Sequence, residues 1–179
     1  TAPLFFVSPT QVNYQIPSGT APGLATITIS NGSSATSTGT VIVTTVAPAV
    51  FSAESNGRSW AAANVQRVRG GASTFESAAA YDNALGKIVP LPIDFGPETD
   101  ELFLVLYGTG LRSHSGLNKV QAIISGVAVE VLYAGTQNSY EGLDQINLRL
   151  PRSLMGRGEA DIVLTVDGKI ANSVKVFLR

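Results

Sequence analysis

Gln11-Val12-Asn13-Tyr14-Gln15-Ile16-Pro17 returns 134 positions later as Gln145-Ile146-Asn147-Leu148-Arg149-Leu150-Pro151. A short loop follows each copy, then a glycine and an alternating apolar run: Gly23-Leu24-Ala25-Thr26-Ile27-Thr28-Ile29 against Gly158-Glu159-Ala160-Asp161-Ile162-Val163-Leu164. Each copy turns through glycine and closes on another such run, Thr40-Val41-Ile42-Val43-Thr44 and Ser173-Val174-Lys175-Val176-Phe177-Leu178. Strand, loop, strand, turn, strand, written twice, is one β unit used twice.

The rest of the chain reads the same way. Leu102-Phe103-Leu104-Val105-Leu106-Tyr107 is a continuous apolar run, as in a strand buried on both faces or deep in a sandwich. Val120–Ile124 and Val127–Tyr133 flank Ser125-Gly126 as a hairpin, and Asp167-Gly168 marks another. Asn31-Gly32 and the serines after it mark a turn between the 25–29 and 41–44 strands. No segment sustains a 3.6-residue period. Ser77-Ala78-Ala79-Ala80-Tyr81 would make no more than a turn or two of helix.

The expected fold is therefore all-β, with two tandem immunoglobulin-like β-sandwich units, the first incomplete at its N-terminus. Residues 98–179 hold about seven short strands, enough for a complete sandwich. Residues 1–53 hold only late strands of such a unit, with Leu4-Phe5-Phe6-Val7 alone before the repeat. Residues 54–97 read as a connecting segment with strands near Ala61–Val68 and Lys87–Leu91. A connection of that length suits a boundary between units. It could also complete the first unit, the alternative being strands upstream of Thr1.

Composition narrows the classes. The chain has 179 residues, 44% apolar and 14% charged, with mean hydropathy +0.21, so it can bury a sizeable core. A net charge of −1 creates no field for nucleic acid or anionic lipid. No apolar run approaches the roughly 20 residues of a membrane helix. Without cysteine there is no disulfide, thiolate zinc site or cysteine nucleophile. The opening Thr1-Ala2-Pro3 lacks a signal peptide's basic start and apolar stretch, and reads as the start of a mature or excised piece. Thr1 to Ala53 contains no Asp, Glu, Lys, Arg or His, while 17 of those 53 residues are Ser or Thr. Threonine suits a half-exposed pleated surface, and such a charge-free stretch fits an exported protein, extracellular or at the cell surface.

Several phrases carry a resemblance: Pro3 to Pro17, Val46-Ala47-Pro48-Ala49-Val50-Phe51, Val105-Leu106-Tyr107-Gly108-Thr109-Gly110-Leu111, and Asp144 to Pro151. Together they make nearly the whole chain similar to the uncharacterised Solibacter-type C-terminal domain family of exported acidobacterial proteins. The Tyr107–Leu111 turn also resembles the start of IPT/TIG modules. The resemblance implies export, a C-terminal position and Ig-like sandwiches, and it defines no catalytic or binding residue.

The chemistry-bearing residues each have a simpler reading. His114 in Ser113-His114-Ser115-Gly116 is the one histidine a Ser-His-Asp site could use, yet no Gly-x-Ser-x-Gly elbow accompanies it. Glu98, Asp100 and Glu101 could supply a glycosidase's carboxylate pair or Ca²⁺ oxygens; a solvated linker protecting a strand edge is the plainer account. Gly108-Thr109-Gly110 lacks the Gly-Lys-Ser/Thr and helix of a phosphate loop, so its glycines serve a turn. Gln11/Asn13 and Gln145/Asn147 project to one strand face, where amides could meet sugar hydroxyls. Their presence in both copies favours a structural role, bonding neighbouring backbone groups. Arg67, Arg69, Trp60 and the loop Tyr133–Glu141 form the expected variable surface, with Tyr133 alternatively in the core.

The resulting expectation is a non-catalytic module that spaces, anchors or adheres. No catalytic residue, metal or cofactor is assigned, and the ligand site is left open. Carbohydrate binding, through the Tyr133–Glu141 loop or the Trp60 region, and an auxiliary role beside an enzyme domain are the alternatives. Expected partners are other domains of a parent chain and protein or glycan surfaces, with self-association through the exposed edge of the first unit. Neither nucleic-acid binding nor membrane insertion is expected.

Overall fold

The computed structural model describes residues 1–32 and 34–179, leaving aside the side chains at 35 and 36. The described chain is all-β. It divides into two compact units, Thr1–Thr45 and Val46–Arg179.

Unit 1 consists of two antiparallel hairpins. β1 (Leu4–Val7) pairs with β2 (Val12–Tyr14), and β3 (Gly23–Ser30) pairs with β4 (Ala35–Val43). The alternating pattern folded these strands as expected, but none of the described residues 1–45 is buried.

Unit 2 holds β5 (Ala49–Val50), β6 (Ala63–Arg69), β7 (Ala72–Ser77), β8 (Ala79–Asp82), β9 (Lys87–Pro90), β10 (Glu101–Thr109), β11 (Val120–Ile124), β12 (Val127–Thr136), β13 (Asp144–Arg149), β14 (Gly158–Val166), β15 (Lys169–Ile170) and β16 (Val174–Leu178). β8 and β9 form a separate hairpin. The others form one ladder, β15-β14-β11-β12-β13-β10-β6-β7, with β16 on β14 and β5 on β10. β12 is the corner. Val127–Val129 pair with β11, while Glu130–Thr136 pair with β13 across a bulge between Val131 and Tyr133. Bulges bend a strand and increase its twist. The two wings on either side contribute to a single core, including Leu104, Leu106, Ile146 and Leu148 from one and Ile124, Ile162, Leu164 and Val176 from the other. This arrangement is consistent with a β-sandwich. Ser125-Gly126 and Asp167-Gly168 turn their hairpins with positive φ at both positions, 47° and 79°, 48° and 78°, the geometry of a type I′ turn.

The domain reading changes in two respects. Residues 54–97 are neither a connection nor a completion of the first unit, because they belong to unit 2. β6 pairs with β10 from Ala63↔Leu106 to Val68↔Glu101, and Ala61, Ala63, Val65, Ala78, Ile93 and Phe95 lie in the core. The boundary at 53 moves to 45 as well. Val46 and Val50 are core residues, and Asn172 clasps Val50 from both sides, its Oδ1 accepting from the backbone N–H and its Nδ2 donating to the carbonyl, each at 2.8 Å. The Ala-rich patch is β-structure instead of a helical turn, since β7 ends at Ser77 and β8 begins at Ala79.

The repeat extends to register. Gly23↔Val43, Ala25↔Val41 and Ile27↔Gly39 of β3–β4 match Gly158↔Leu178, Ala160↔Val176 and Ile162↔Val174 of β14–β16. β1 matches the second half of β12: Phe6↔Asn13 answers Tyr133↔Asn147, Val7↔Val12 answers Ala134↔Ile146, and both copies bulge one residue earlier. The duplicated passage is thus a duplicated strand geometry.

Gly108 and Gly110 admit β5 to this frame. A Cβ at Gly108 would lie 2.2 Å from the Ala49 carbonyl oxygen, and one at Gly110 would lie 2.1 Å from that of Ala47. Gly110 alone has positive φ, so Gly108 is required by close approach. Gly108→Ala is expected to cost about 3 kcal/mol by forcing β5 off β10, a fall of roughly 10 °C in Tm. Calorimetry of the variant checks it.

Candidate functional site

The carboxylates Glu98, Asp100 and Glu101 do not form a cluster. Glu101 and Phe103 share one face of β10, and Glu101 accepts from Arg149 Nη1 at 2.6 Å. The Asp100 side chain is fully enclosed. Arg69 grips it with Nε on Oδ1 at 2.7 Å and Nη2 on Oδ2 at 2.6 Å, and Arg67 Nη1 adds a bond at 2.9 Å. Arg67 also holds Glu76 and the Asp94 carbonyl. The basic stretch read as surface is therefore the counter-charge to the acid read as linker, brought together where β6 runs beside β10. Gly96 closes over the ions, for a Cβ there would come within 2.5 Å of Asp100 Oδ2. Arg152 donates to the carbonyls of Phe95, Gly96 and Pro97. Bonds from Arg69 first, then Arg67, outweigh desolvation and lower the Asp100 carboxyl to about 2.

A second buried carboxylate, Asp144, went unnoticed in the sequence. Its Oδ2 accepts from Leu111 N–H at 2.9 Å, and its Oδ1 accepts from Arg112 Nε at 2.6 Å. Arg112 Nη2 also donates to the Leu143 carbonyl. The signal was parity: Asp144 shares a strand face with Ile146 and Leu148, both fully buried. An acid in phase with a core stripe must find a partner.

Ser115, His114 and Asp167 come together, but in an order that relays no proton. The Ser115 hydroxyl donates to Asp167 Oδ1 at 2.7 Å, and its backbone N–H also bonds that carboxylate. These bonds lower the Asp167 pKa. His114 Nε2 lies 3.0 Å from the Ala134 carbonyl, and Nδ1 is buried without a partner among the described residues. A catalytic serine instead gives its proton to the histidine.

Of the remaining candidates, Gln145, Asn147 and Tyr133 meet on the outer face of β6, β10, β13 and β12. Register places Asn64, Val105, Asn147 and Tyr133 in one row, with Tyr107, Gln145 and Gly135 in the next. Gln66, Phe103, Arg149 and Glu130 form the row on the other side. Gln145 Nε2 donates to Asn147 Oδ1 at 2.8 Å, and Gln11 Nε2 to Asn13 Oδ1 at 2.7 Å. The amides thus bond each other along the strand, correcting the expectation of bonds to backbone. Asn64 Nδ2 donates to the Tyr107 hydroxyl at 3.0 Å, and the Arg149 guanidinium sits 5.0 Å from the Phe103 ring centre, a cation–π distance. Tyr133 lies over Gly135, where a Cβ would meet its hydroxyl at 2.9 Å, and donates to the Thr136 carbonyl. It is 36% exposed, so it is not a core residue. On β10, Val105 alone is buried here, on the face opposite Leu104 and Leu106, while Phe103 and Tyr107 beside it stay half-buried, so the apolar run of β10 is enclosed fully on its inner face only.

Trp60 is elsewhere, bridged to Lys175 on β16 and half-buried. In the loop after Tyr133, Tyr140 is the most exposed aromatic, at 71%. No group of three or more His, Asp or Glu side chains suited to a metal ion is gathered among the described residues. No helix there is long and apolar enough to cross a membrane. No family model, curated protein or solved structure matches the chain.

Two outcomes follow. Asp144→Ala leaves Arg112 without its buried partner and is expected to cost about 3 kcal/mol, roughly 10 °C in Tm. For Asp100 the folded pKa lies below the ordinary carboxylate value near 4, so its contribution is complete above about pH 5 and is lost as pH falls through 2. The Tm gap between wild type and Asp100→Asn should be widest near neutrality and shrink toward pH 2. Calorimetry across that range measures both.

Proposed function

We propose that the chain is a non-catalytic, immunoglobulin-like module of a larger exported protein, acting to space, anchor or adhere. One observation carries the reading: the buried carboxylates of unit 2 are engaged as fasteners. Asp100 ties β10 to β6, and Asp144 ties β13 to the turn after β10. The sole histidine is held on a backbone carbonyl. Groups engaged this way stiffen a scaffold and leave little freedom to move protons. The Ser/Thr-rich, charge-free first 53 residues and the resemblance to Solibacter-type C-terminal domains support export and a terminal position.

A second reading, glycan binding, is favoured by the amide and aromatic rows on the outer face. Gln145 Oε1 and Asn147 Nδ2 have no protein partner among the described residues, and planar amides beside Tyr133 and Tyr107 suit sugar hydroxyls and sugar rings.

The purified chain should give no turnover with fluorogenic glycoside, ester or peptide substrates. Turnover lost in Asp100→Asn or His114→Ala would overturn the first reading. In affinity electrophoresis, retardation by xylan, β-glucan or chitin fragments that disappears in Asn147→Ala would establish the second; unchanged mobility in all three gels would remove it.

A further inference from the structure

Unit 1 repeats the strands of unit 2 without what covers them. In unit 2, Ile146, Leu148, Ala160, Ile162, Val176 and Leu178 are all buried. Their register counterparts Val12, Tyr14, Ala25, Ile27, Val41 and Val43 are half-buried or exposed. The difference lies in the neighbours. β13 has β12 on one edge and β10 on the other, while β14 has β16 on one edge and β11 on the other. In unit 1, β2 has only β1 and β3 has only β4 among the described residues. The two open edges correspond to those filled by β10 and β11.

We propose that unit 1 is an acceptor half-sandwich, and that its open β2 and β3 edges take two polypeptide strands with the chemistry of β10 and β11. Both run antiparallel to the strand they pair with, and both present Leu, Val or Ile at alternate positions toward the core, as Leu102, Leu104 and Leu106 or Val120, Ala122 and Ile124 do. The order of the repeat identifies the source. β1 answers the second half of β12, and β10 and β11 come directly before β12, so the donor strands precede β1 in the same polypeptide. Residues 54–97 already have partners of their own: β6 lies between β10 and β7, and β8 pairs with β9. Charge supplies an independent argument. Long edges meant to remain bare are commonly guarded by Lys, Glu or Pro, whereas the eight-residue β3 carries none of these. An unguarded, neutral apolar edge belongs to a strand that is normally paired.

The register also dictates the test. Leu4 corresponds to Val131, so Thr1 corresponds to Ala128, and the chain's own Asp100–Val127 segment can be fused directly before Thr1 in step with the repeat. The chain of residues 1–179 should be monomeric by analytical ultracentrifugation, with amides of β2 and β3 exchanging at least about a hundredfold faster than those of β13 and β14. The fusion should slow exchange in β2 and β3 by at least tenfold and remain monomeric. The same fusion with the grafted Leu104 changed to Lys should not. Protection of β2 and β3 already present in monomeric 1–179 would overturn the proposal, as would a dimer that protects them, making a second copy the cover. A fused chain no better protected than 1–179 would overturn it too.

Discussion

A strand pair with one apolar face is stable only when something covers that face, and this constraint governs both halves of the chain. Burying a side chain the size of isoleucine is worth about 1.5–3 kcal/mol, and an isolated hairpin is marginal in water. Ile162 on β14 is 1% exposed, and Leu164 on the same strand is fully buried. Ile27 has the same place in the same register on β3 and does not reach burial. Sequence pattern and turn chemistry were sufficient to set the pairing of β3 with β4. They supply none of the free energy that β10, β11 and β6 give to unit 2.

Where the cover is present, polar groups decide how its pieces are joined. The strands of unit 2 come from distant parts of the chain, and the bonds across those seams are charged or bidentate. Arg69 and Arg67 hold Asp100 between β6 and β10, Arg112 holds Asp144 at the head of β13, and Asn172 clasps β5 at Val50. Such bonds to charged groups are stronger than neutral ones and specific in direction. They penalise a slipped register, because a one-residue shift would leave a buried carboxylate alone. Each of the two enclosed acids, Asp100 and Asp144, therefore comes with its arginine.

What could be read from sequence alone follows the same physics. Strong period-2 runs, such as Ala25–Ile29 and Val120–Ile124, and the Ser-Gly and Asp-Gly turns announced their strands and hairpins. β6 reads as a strand, yet its membership in unit 2 is hidden, since Ala61 and Ala63 alternate with residues of little contrast and mark a core face only by fitting a narrow space. Ile93 and Phe95 alternate with Pro92 and Asp94 over a run too short, and too closely bounded by prolines, to announce a strand, although Ile93 bridges to Leu178 and both are buried. Among the site residues, spacing alone puts each Gln–Asn couple on one face, while their mutual bond depends on rotamers that spacing does not determine. The Arg67–Arg69–Asp100 cluster joins residues more than thirty positions apart, so it required knowing that β6 and β10 are neighbours. Asp144 was legible by parity alone.

The two copies together separate what specifies a strand from what stabilises it. Both keep the bulge before the aromatic residue of β1 and β12, the amide couple on the next strand, and a positive-φ glycine at the start of the following one, Gly23 and Gly158. All three are local: a bulge needs its own strand and one neighbour, an amide couple needs residues two apart, and a glycine needs only itself. Asp144 is the contrasting case. Its partners lie on the turn beyond β10, and the corresponding place in the first copy is Thr10, with neither the carboxylate nor a described counterpart of that turn. Features that need only β1 to β4 are present twice, and the feature that needs β10 is present once. The first copy therefore carries the instructions for register in full, and lacks those interactions that an adjoining pair of strands would complete.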